Sequence, residues 1–254
     1  MRPEAVILGI AILLPGTVRA TDDTPKGVQR FAFAGYEWTV KRSERPTAPQ
    51  NNRFGGLNSN VLLRPDGALI LRVAPGRDGR WRSAEVILSR PLGYGTYRFR
   101  LEGRLDRLDD AVIAGLFTWD TRAEYANREI DIEFSTWGGQ LRGANAQFVV
   151  QPHDAEGHLH RFAVRQEGDL TSHEFTWTRS RIDFASWHGH GRRPADSPLL
   201  IREWSYAGAG IPPPGNERVH INFYLFEGKA PHDDRSVELV VRNFEFEPNE
   251  DASR

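Results

Sequence analysis

The sequence predicts an all-β fold in which two antiparallel sheets pack face to face. About fourteen short segments rich in β-branched and aromatic residues follow one another along the chain, and Gly, Pro, Asn and Asp separate them. No stretch shows the apolar spacing that an amphipathic helix requires. Because parallel strands need long, usually helical crossovers, the lack of helical patterns favours antiparallel pairing and a sandwich.

The predicted strands are spread evenly, so we expect one sandwich domain over residues 21–254. Turn residues separate the strands, as at Pro65-Asp66-Gly67. The three prolines at 212–214 are interpreted as a loop, because two more strand patterns follow them. The predicted strands are 36–40, 61–63, 68–73, 81–88, 96–102, 111–119, 129–134, 144–150, 159–165, 174–177, 181–184, 199–206, 219–226 and 237–247.

Residues 1–20 have the pattern of a secretory signal peptide. Arg2 precedes an apolar run over residues 5–14, and small residues follow up to Ala20. The apolar run has half the length that a membrane-spanning helix needs. We therefore expect cleavage near Ala20 and a secreted or periplasmic bacterial protein that has no membrane association afterwards.

The composition excludes several classes of protein. Lys and Arg total 33 against 34 Asp and Glu, so no positive field attracts nucleic acid. The chain has no cysteine and therefore no disulfide, thiol nucleophile or thiolate metal site. The pairs His158/His160 and His188/His190 have a spacing that suits zinc or copper, but no third ligand is identifiable. We expect turn or surface histidines, no metal site and a monomer.

The most informative segment is residues 129–134, Glu-Ile-Asp-Ile-Glu-Phe. On a strand, alternate residues share a face, so Glu129, Asp131 and Glu133 line one side and apolar residues line the other. Carboxylates about 7 Å apart repel each other by about 2.4 kcal/mol at an effective dielectric constant near 20. In a partly dehydrated cleft, this repulsion raises at least one carboxyl pKa.

The chemistry of these three residues, called the acid trio below, suits the cleavage of an acetal. Two Glu can act as nucleophile and general acid on either side of a scissile bond, while the Asp between them tunes both by hydrogen bonding. A plain solvated strand is the alternative, because Glu245 and Glu247 alternate in the same way on an ordinary amphipathic strand.

The segment resembles the catalytic signature of glycoside hydrolase family 16, the lichenase and laminarinase family. The resemblance covers nearly all of the chain after residue 20, in the same order. It implies the bent jelly-roll sandwich of the concanavalin A-like group, with a sugar cleft on the concave face. The other matching segments are 58–69, 83–97, 111–119, 146–148, 177–184 and 222–224.

The resemblance also implies the roles of the site residues. Glu129 corresponds to the nucleophile, Asp131 to an assisting acid and Glu133 to the general acid/base. Aromatic faces at the matched positions would stack on sugar rings, and amides would bind hydroxyls. The positions that match the lining of the family's cleft are Glu85, Phe117, Trp119, Gln147, Asn222 and Tyr224.

The activity implied is that of a retaining endo-β-glycanase. Such an enzyme hydrolyses the O-glycosidic bonds of a β-linked polysaccharide, most of all a β-glucan, by double displacement and without a cofactor. Members of the family often hold a structural calcium ion, but no set of residues in this sequence supports one. The expected partner is therefore the polysaccharide substrate.

Departures from the family pattern leave the glycan open. Val149 stands where the family has an Asn, and Ile87 stands where lichenase-like members have an Arg. Arg128 and Arg142, close to the signature, would suit an acidic or sulfated polymer. Two other functions fit the same residues: a carbohydrate-binding sandwich without turnover, and a transglycosylase that remodels cell-surface glucan.

Overall fold

A computed structural model of the protein describes residues 27–195 and 198–249. The expected signal peptide and its cleavage point near Ala20 lie outside the described residues. Within these ranges the chain forms 18 strands and three short 3₁₀ helices, at Leu105–Arg107, Ala123–Arg128 and Phe226–Gly228. No helix among the described residues is both long enough and apolar enough to cross a membrane.

One large sheet, called the front sheet, has the strand order β1-β2-β8-β17-β10-β11-β12-β13. Each pair of neighbouring strands in this sheet is antiparallel. Its strands are β1 Gln29–Phe33, β2 Tyr36–Val40, β8 Ala84–Leu88, β10 Val112–Trp119, β11 Ile130–Phe134, β12 Ala146–Val150, β13 Leu159–Phe162 and β17 Arg218–Leu225.

The second large sheet, called the back sheet, has the order β16-β15-β14-β9-β18-β6-β5, with β7 paired to β6. A separate hairpin is formed by β3 Ser43–Thr47 and β4 Asn52–Phe54. The strands of the back sheet are β5 Val61–Leu63, β6 Leu69–Pro75, β7 Trp81–Arg82, β9 Gly95–Glu102, β14 Leu170–Trp177, β15 Ile182–His188, β16 Leu200–Tyr206 and β18 Val237–Pro248.

The core lies between the two sheets and is rich in aromatic residues. Trp38 of the front sheet packs edge-on against Phe244 of the back sheet, with ring centroids 5.5 Å apart. Phe134 of β11 meets His173 of β14 in the same way at 4.7 Å. The inner residues of both sheets are buried in this core. The predicted all-β antiparallel sandwich is confirmed.

The buried His173 shows how the core accommodates a polar group. Its Nδ1 lies 2.8 Å from the hydroxyl of Ser186, and its Nε2 lies 2.9 Å from that of Thr171. Burial lowers the pKa of His173 to about 3, so the ring is neutral at physiological pH.

The structure differs from the sequence-based prediction in four strands. The strands β1, β3 and β4 were not predicted, and the predicted strand 81–88 is divided between the two sheets. The division occurs at Ser83. Before it, β7 pairs with β6 of the back sheet, and after it, β8 pairs with β2 and β17 of the front sheet. The hairpin strand β3 is exposed, polar and interrupted by Pro46, so it lacks the alternation that marks a strand.

Candidate active site

A cavity of about 500 Å³ lies on the outer face of the front sheet. The alternation along β11 directs Ile130, Ile132 and Phe134 into the core, whereas Asp131 and Glu133 face the cavity. Glu129 precedes the strand, but its backbone is extended (φ −90°, ψ 120°), and its carbonyl accepts a hydrogen bond from the β12 side of the sheet. All three carboxyls of the acid trio therefore line one cavity.

Eight of the nine site residues expected from the sequence line this cavity, and the ninth, Gln147, contacts Glu133 from β12. Besides the acid trio, the lining includes Glu85, Phe117, Trp119, Asn222 and Tyr224. The strands β8, β17, β10 and β11 are neighbours, so each contributes side chains to the same outer face.

The chain enters β11 through a tightly fixed turn. Ala126, Asn127 and Arg128 all have φ between 49° and 57°, a left-handed conformation that is costly for residues with side chains. The buried guanidinium of Arg128 holds this turn, because it pairs with Asp120 at 2.5 Å and donates to the carbonyl of Pro213 at 2.7 Å. Arg128 is thus occupied within the protein, and the suggestion that it meets an anionic glycan was wrong.

A side-chain hydrogen bond links two members of the trio, Asp131 and Glu129. Burial, with the charge of Glu133 adding, raises the pKa of Glu129 to about 7, while a hydrogen bond from Asp131 acts in the opposite direction. Burial and both neighbouring carboxylates raise the pKa of Asp131 well above its usual range. Asp131 therefore stays protonated and donates a hydrogen bond to the Glu129 carboxylate. The amide of Gln151 donates to the other side of Asp131 at 3.0 Å.

The third carboxyl, Glu133, is supported from the neighbouring strand. Burial raises its pKa, and the hydrogen bond from the Gln147 amide, at 2.6 Å, partly offsets that rise. Arg161 donates to the Gln147 oxygen at 3.3 Å. Because a guanidinium only donates, this contact fixes the side-chain amide with its NH₂ group toward Glu133. The pKa of every member of the trio is therefore raised, where the sequence argument required at least one.

A second charged group lies on the same cavity wall and is centred on Glu85. Glu85 lies on β8, three strands from β11. One oxygen of Glu85 accepts a hydrogen bond from Lys41 at 2.8 Å, and the other is 2.9 Å from His220 Nδ1. Lys41 also donates to the carbonyl of Ala48 at 2.9 Å, which ties the β3–β4 hairpin to the cavity. Although Glu85 is only 3% exposed, these partners outweigh burial and lower its pKa.

Aromatic rings and an open amide complete the wall. The ring of His220 lies 4.9 Å from Phe117 and 6.0 Å from Trp119, centroid to centroid. Gly115 leaves the space that Asn222 occupies, because a Cβ at position 115 would lie 2.4 Å from Asn222 Oδ1. That oxygen is buried and has no hydrogen-bond partner among the described residues. A bound hydroxyl would supply the missing partner.

The two departures from the family pattern both lie on strands of the front sheet. Val149 is fully buried and pairs with Asp131 in register, so Asp131 has an apolar neighbour on β12 and takes its side-chain partner from Gln151. Ile87 lines the cavity and pairs with His220 across β8 and β17. Ile87 thus adds an apolar side chain to the cavity, whereas Val149 does not line it.

The described histidine pairs form no metal site. Within residues 27–195 and 198–249, no group of three or more His, Cys, Asp or Glu could hold a metal ion. His158, expected at the surface or in a turn, is instead buried. Its ring forms hydrogen bonds with the Val150 carbonyl at 2.7 Å and the Tyr206 hydroxyl at 2.5 Å. His160 stacks on Trp204 with ring centroids 5.7 Å apart.

Comparison with known proteins gives a clear result for the fold. The β-glucanase of Bacillus licheniformis superposes with a TM-score of 0.60 at 13% identity, covering 90% of this chain and 95% of that chain. A prokaryotic β-1,3-1,4-glucanase (lichenase) from a mouse hindgut metagenome gives 0.59 at 17%, with 84% and 93% covered. A β-1,3-glucanase from Mycobacterium marinum gives 0.58 at 17%, with 80% and 88% covered.

This chain has the β-glucanase fold. The resemblance noted in the sequence is thereby confirmed for the fold, and the jelly-roll sandwich with it. No protein-family model matches the sequence, and a search of the curated proteins finds no match. The likeness lies in three-dimensional structure, since the sequence identities are between 13% and 18%.

The β-glucanase fold also brings together residues that sequence reasoning missed. These cavity-lining residues are Lys41, Thr47, Ala48, Pro49, Gly115 and His220. His220 had a detectable signal, because it lies two residues before Asn222 on a predicted strand and so shares its face. Lys41 and the β3–β4 hairpin had none, since only strand pairing brings them to the cavity.

Proposed function

We propose that the protein is a retaining endo-β-glycanase that hydrolyses a β-linked polysaccharide of the β-glucan class. The observation that carries the proposal is the acid trio: three carboxyls on consecutive outward positions face one cavity, and the pKa of each is raised. Paired carboxyls of this kind supply both the nucleophile and the proton that glycoside cleavage requires.

In the proposed reaction, the Glu129 carboxylate attacks the anomeric carbon while Glu133 donates its proton to the departing glycosidic oxygen. The leaving group departs as an alcohol, and a glycosyl-enzyme ester forms on Glu129. Glu133, now ionised, removes a proton from water, which attacks the anomeric carbon and releases Glu129. Two inversions keep the original configuration.

Asp131 supports this cycle by hydrogen bonding. Its retained proton points at Glu129, so it stabilises the carboxylate that must attack and the one that is released later. Glu133, held by Gln147, is the group left to exchange a proton with the substrate and with water.

The cavity wall supports a sugar chain as the substrate. The rings of Phe117 and Trp119 offer faces for the apolar sides of pyranose rings. The unpartnered amide oxygen of Asn222 can accept a hydrogen bond from a hydroxyl. The structural neighbours are named as β-glucanases, which favours a glucan over other glycans.

The test is the release of reducing ends from laminarin, lichenan, agarose, carrageenan and xyloglucan. We expect the wild-type protein to cleave a β-glucan, and Glu129→Gln and Glu133→Gln to lose this activity. Glu247→Gln, a matched change of an exposed residue on the back sheet, should retain it. If the wild type and both site variants release equal amounts from every polymer, hydrolysis by the trio is refuted and a binding-only sandwich replaces it.

The stereochemistry provides a second readout for the same proposal. Proton NMR of the first products from the cleaved glucan should show the β-anomer before mutarotation. Initial appearance of the α-anomer would contradict the double displacement. Product analysis at high acceptor concentration would separate water from sugar as the acceptor, and thus hydrolysis from transglycosylation.

A further inference from the structure

His220 lies in the cavity with one of its two ring nitrogens free. Its Nδ1 is 2.9 Å from Glu85 Oε1, and within the described part of the chain its Nε2 has no hydrogen-bond partner. The residue is 7% exposed and lines the cavity. A ring nitrogen in a cavity wall that has no protein partner can form a hydrogen bond with a ligand.

The surroundings fix the orientation of the His220 ring. Glu85 is held by Lys41 and His220 together, and a carboxylate accepts hydrogen bonds without donating them. The Nδ1 atom therefore bears a hydrogen and donates it to Glu85, and Nε2 is the ring nitrogen left for a ligand. Contact with Phe117, at 4.9 Å between centroids, limits rotation of the ring.

The position of His220 relative to the trio follows from strand register. His220 pairs with Phe117 on β10, and Phe117 pairs with Asp131 on β11. Two strand spacings separate the backbones of His220 and Asp131, roughly 9.5 Å. A sugar chain that leaves the trio across β10 and β17 reaches His220 beyond the unit at the cleaved bond.

We infer that His220 is a specificity-determining residue whose Nε2 forms a hydrogen bond with a hydroxyl of a sugar unit distant from the cleaved bond. Glu85 and Lys41 act as positioning residues that hold the ring in this orientation. The inference rests on the proposed function, because it assigns part of the same cavity to the same polysaccharide. Its effect is on the binding of long substrates, since His220 does not touch the reacting atoms.

The test compares two substitutions that separate the ring nitrogens. His220→Asn keeps a donor close to the Nδ1 position for Glu85 but removes the atom at Nε2, whereas His220→Gln places a polar atom close to Nε2. On β-1,3-gluco-oligosaccharides, we expect His220→Asn to raise KM for the hexasaccharide roughly ten-fold, with kcat unchanged. The KM of the shortest cleaved oligosaccharide should not change, and His220→Gln should recover most of the loss.

A binding measurement separates this inference from the proposed function. In the Glu133→Gln background, calorimetry with laminarihexaose reports Kd without turnover. His220→Asn should weaken Kd roughly ten-fold, while His232→Asn, a change at an exposed histidine, should leave it unchanged. If the wild type does not cleave the glucan but the Kd values follow this order, the proposed function fails and the inference stands.

Three outcomes would overturn the inference. The first is equal Kd values for His220→Asn and its parent, and the second is the absence of any binding of the hexasaccharide. The third is a fall in kcat of equal size on short and long substrates, which would place His220 at the reacting bond. Failure of His220→Gln to recover binding lost in His220→Asn would also count against Nε2 as the contact atom.

Discussion

The same cavity holds carboxyls of two kinds, and their pKa values move in opposite directions. Glu85 and Asp131 are both 3% exposed, yet the pKa of Glu85 is lowered and that of Asp131 is raised well above its usual range. Glu85 has Lys41 and His220 as partners, whereas Asp131 has two further carboxyls and one neutral amide. Partners therefore decide the charge, and burial alone does not.

This difference divides the cavity by function. A carboxyl that stays ionised can only anchor other groups, as Glu85 anchors His220. A carboxyl whose pKa lies near neutral pH can both lose and gain a proton during a reaction. The pKa of each member of the acid trio is raised, because alternation on one strand buries three carboxyls together without a cation among them.

The largest expected effect is on kcat, and it comes from comparing the loss of one carboxyl of the acid trio with the loss of Glu85. Glu133→Gln should lower kcat roughly 10²–10⁴-fold, because it removes the proton donor. Glu85→Gln should leave kcat within a few-fold and raise KM, since the anchor of His220 is lost. Steady-state kinetics on laminarin measure both values. Equal falls in kcat would erase the proposed division between the two regions.

The next effect tests whether Glu85 depends on its partners. Lys41→Met leaves Glu85 buried with one cation fewer, so we expect the free energy of unfolding to fall by about 2 kcal/mol at pH 7. This contribution is present above the unfolded pKa of Glu85 and is lost as the pH falls through its lowered folded pKa, so the difference should shrink in acid.

Urea unfolding measures the effect, and the chain offers a matched control. Lys229 pairs with Glu227 on the surface with 68% of its side chain exposed, so Lys229→Met should change the free energy of unfolding by less than about 0.5 kcal/mol. A loss of equal size in Lys41→Met and Lys229→Met would show that the buried pairing of Glu85 has no special role.

The smallest expected effect concerns the folding stability that is lost when the buried acid trio ionises. The pKa of Glu129 is raised to about 7 in the folded protein, so its contribution to stability declines as the pH rises from its unfolded pKa toward 7. Glu129→Gln has no group to ionise at this position and so avoids this decline in stability. Its melting temperature should exceed that of the wild type by roughly 2–6 °C at pH 8.

Thermal unfolding at two pH values checks this prediction. At pH 4 both the folded and the unfolded chain hold the Glu129 proton, so the melting temperatures of wild type and variant should coincide. A Glu129→Gln variant that is less stable than the wild type at pH 8 would mean that the carboxylate is stabilised in its place.

The fold was predictable because its main signal is local. Alternation along residues 129–134 identifies both the buried and the outward side of β11 without any knowledge of the other strands. The strand β1 carried the same signal, since Phe31 and Phe33 are buried on alternate positions. By contrast, the crossing at Ser83 depends on which sheet each neighbour joins, and no local pattern contains that information.

Strand alternation alone predicted only the site residues that share β11, and the family resemblance supplied the positions on the other strands. The acid trio is contiguous, and its cavity-facing side follows from a period of two. Glu85 was expected through its resemblance to a family position, but its charge state depends on Lys41 and His220, which are 44 and 135 residues away in sequence. Sequence reasoning therefore located the carboxyls and missed what separates Glu85 from the trio.

Carbon-13 NMR titration of the side-chain carboxyls tests the central claim most directly. With resonances assigned through Glu85→Gln and Glu129→Gln, we expect Glu129 to titrate near pH 7 and Glu85 below the usual range for glutamate. Titration of Glu129 near pH 4, or of Glu85 at or above the pH at which Glu129 titrates, would contradict the account.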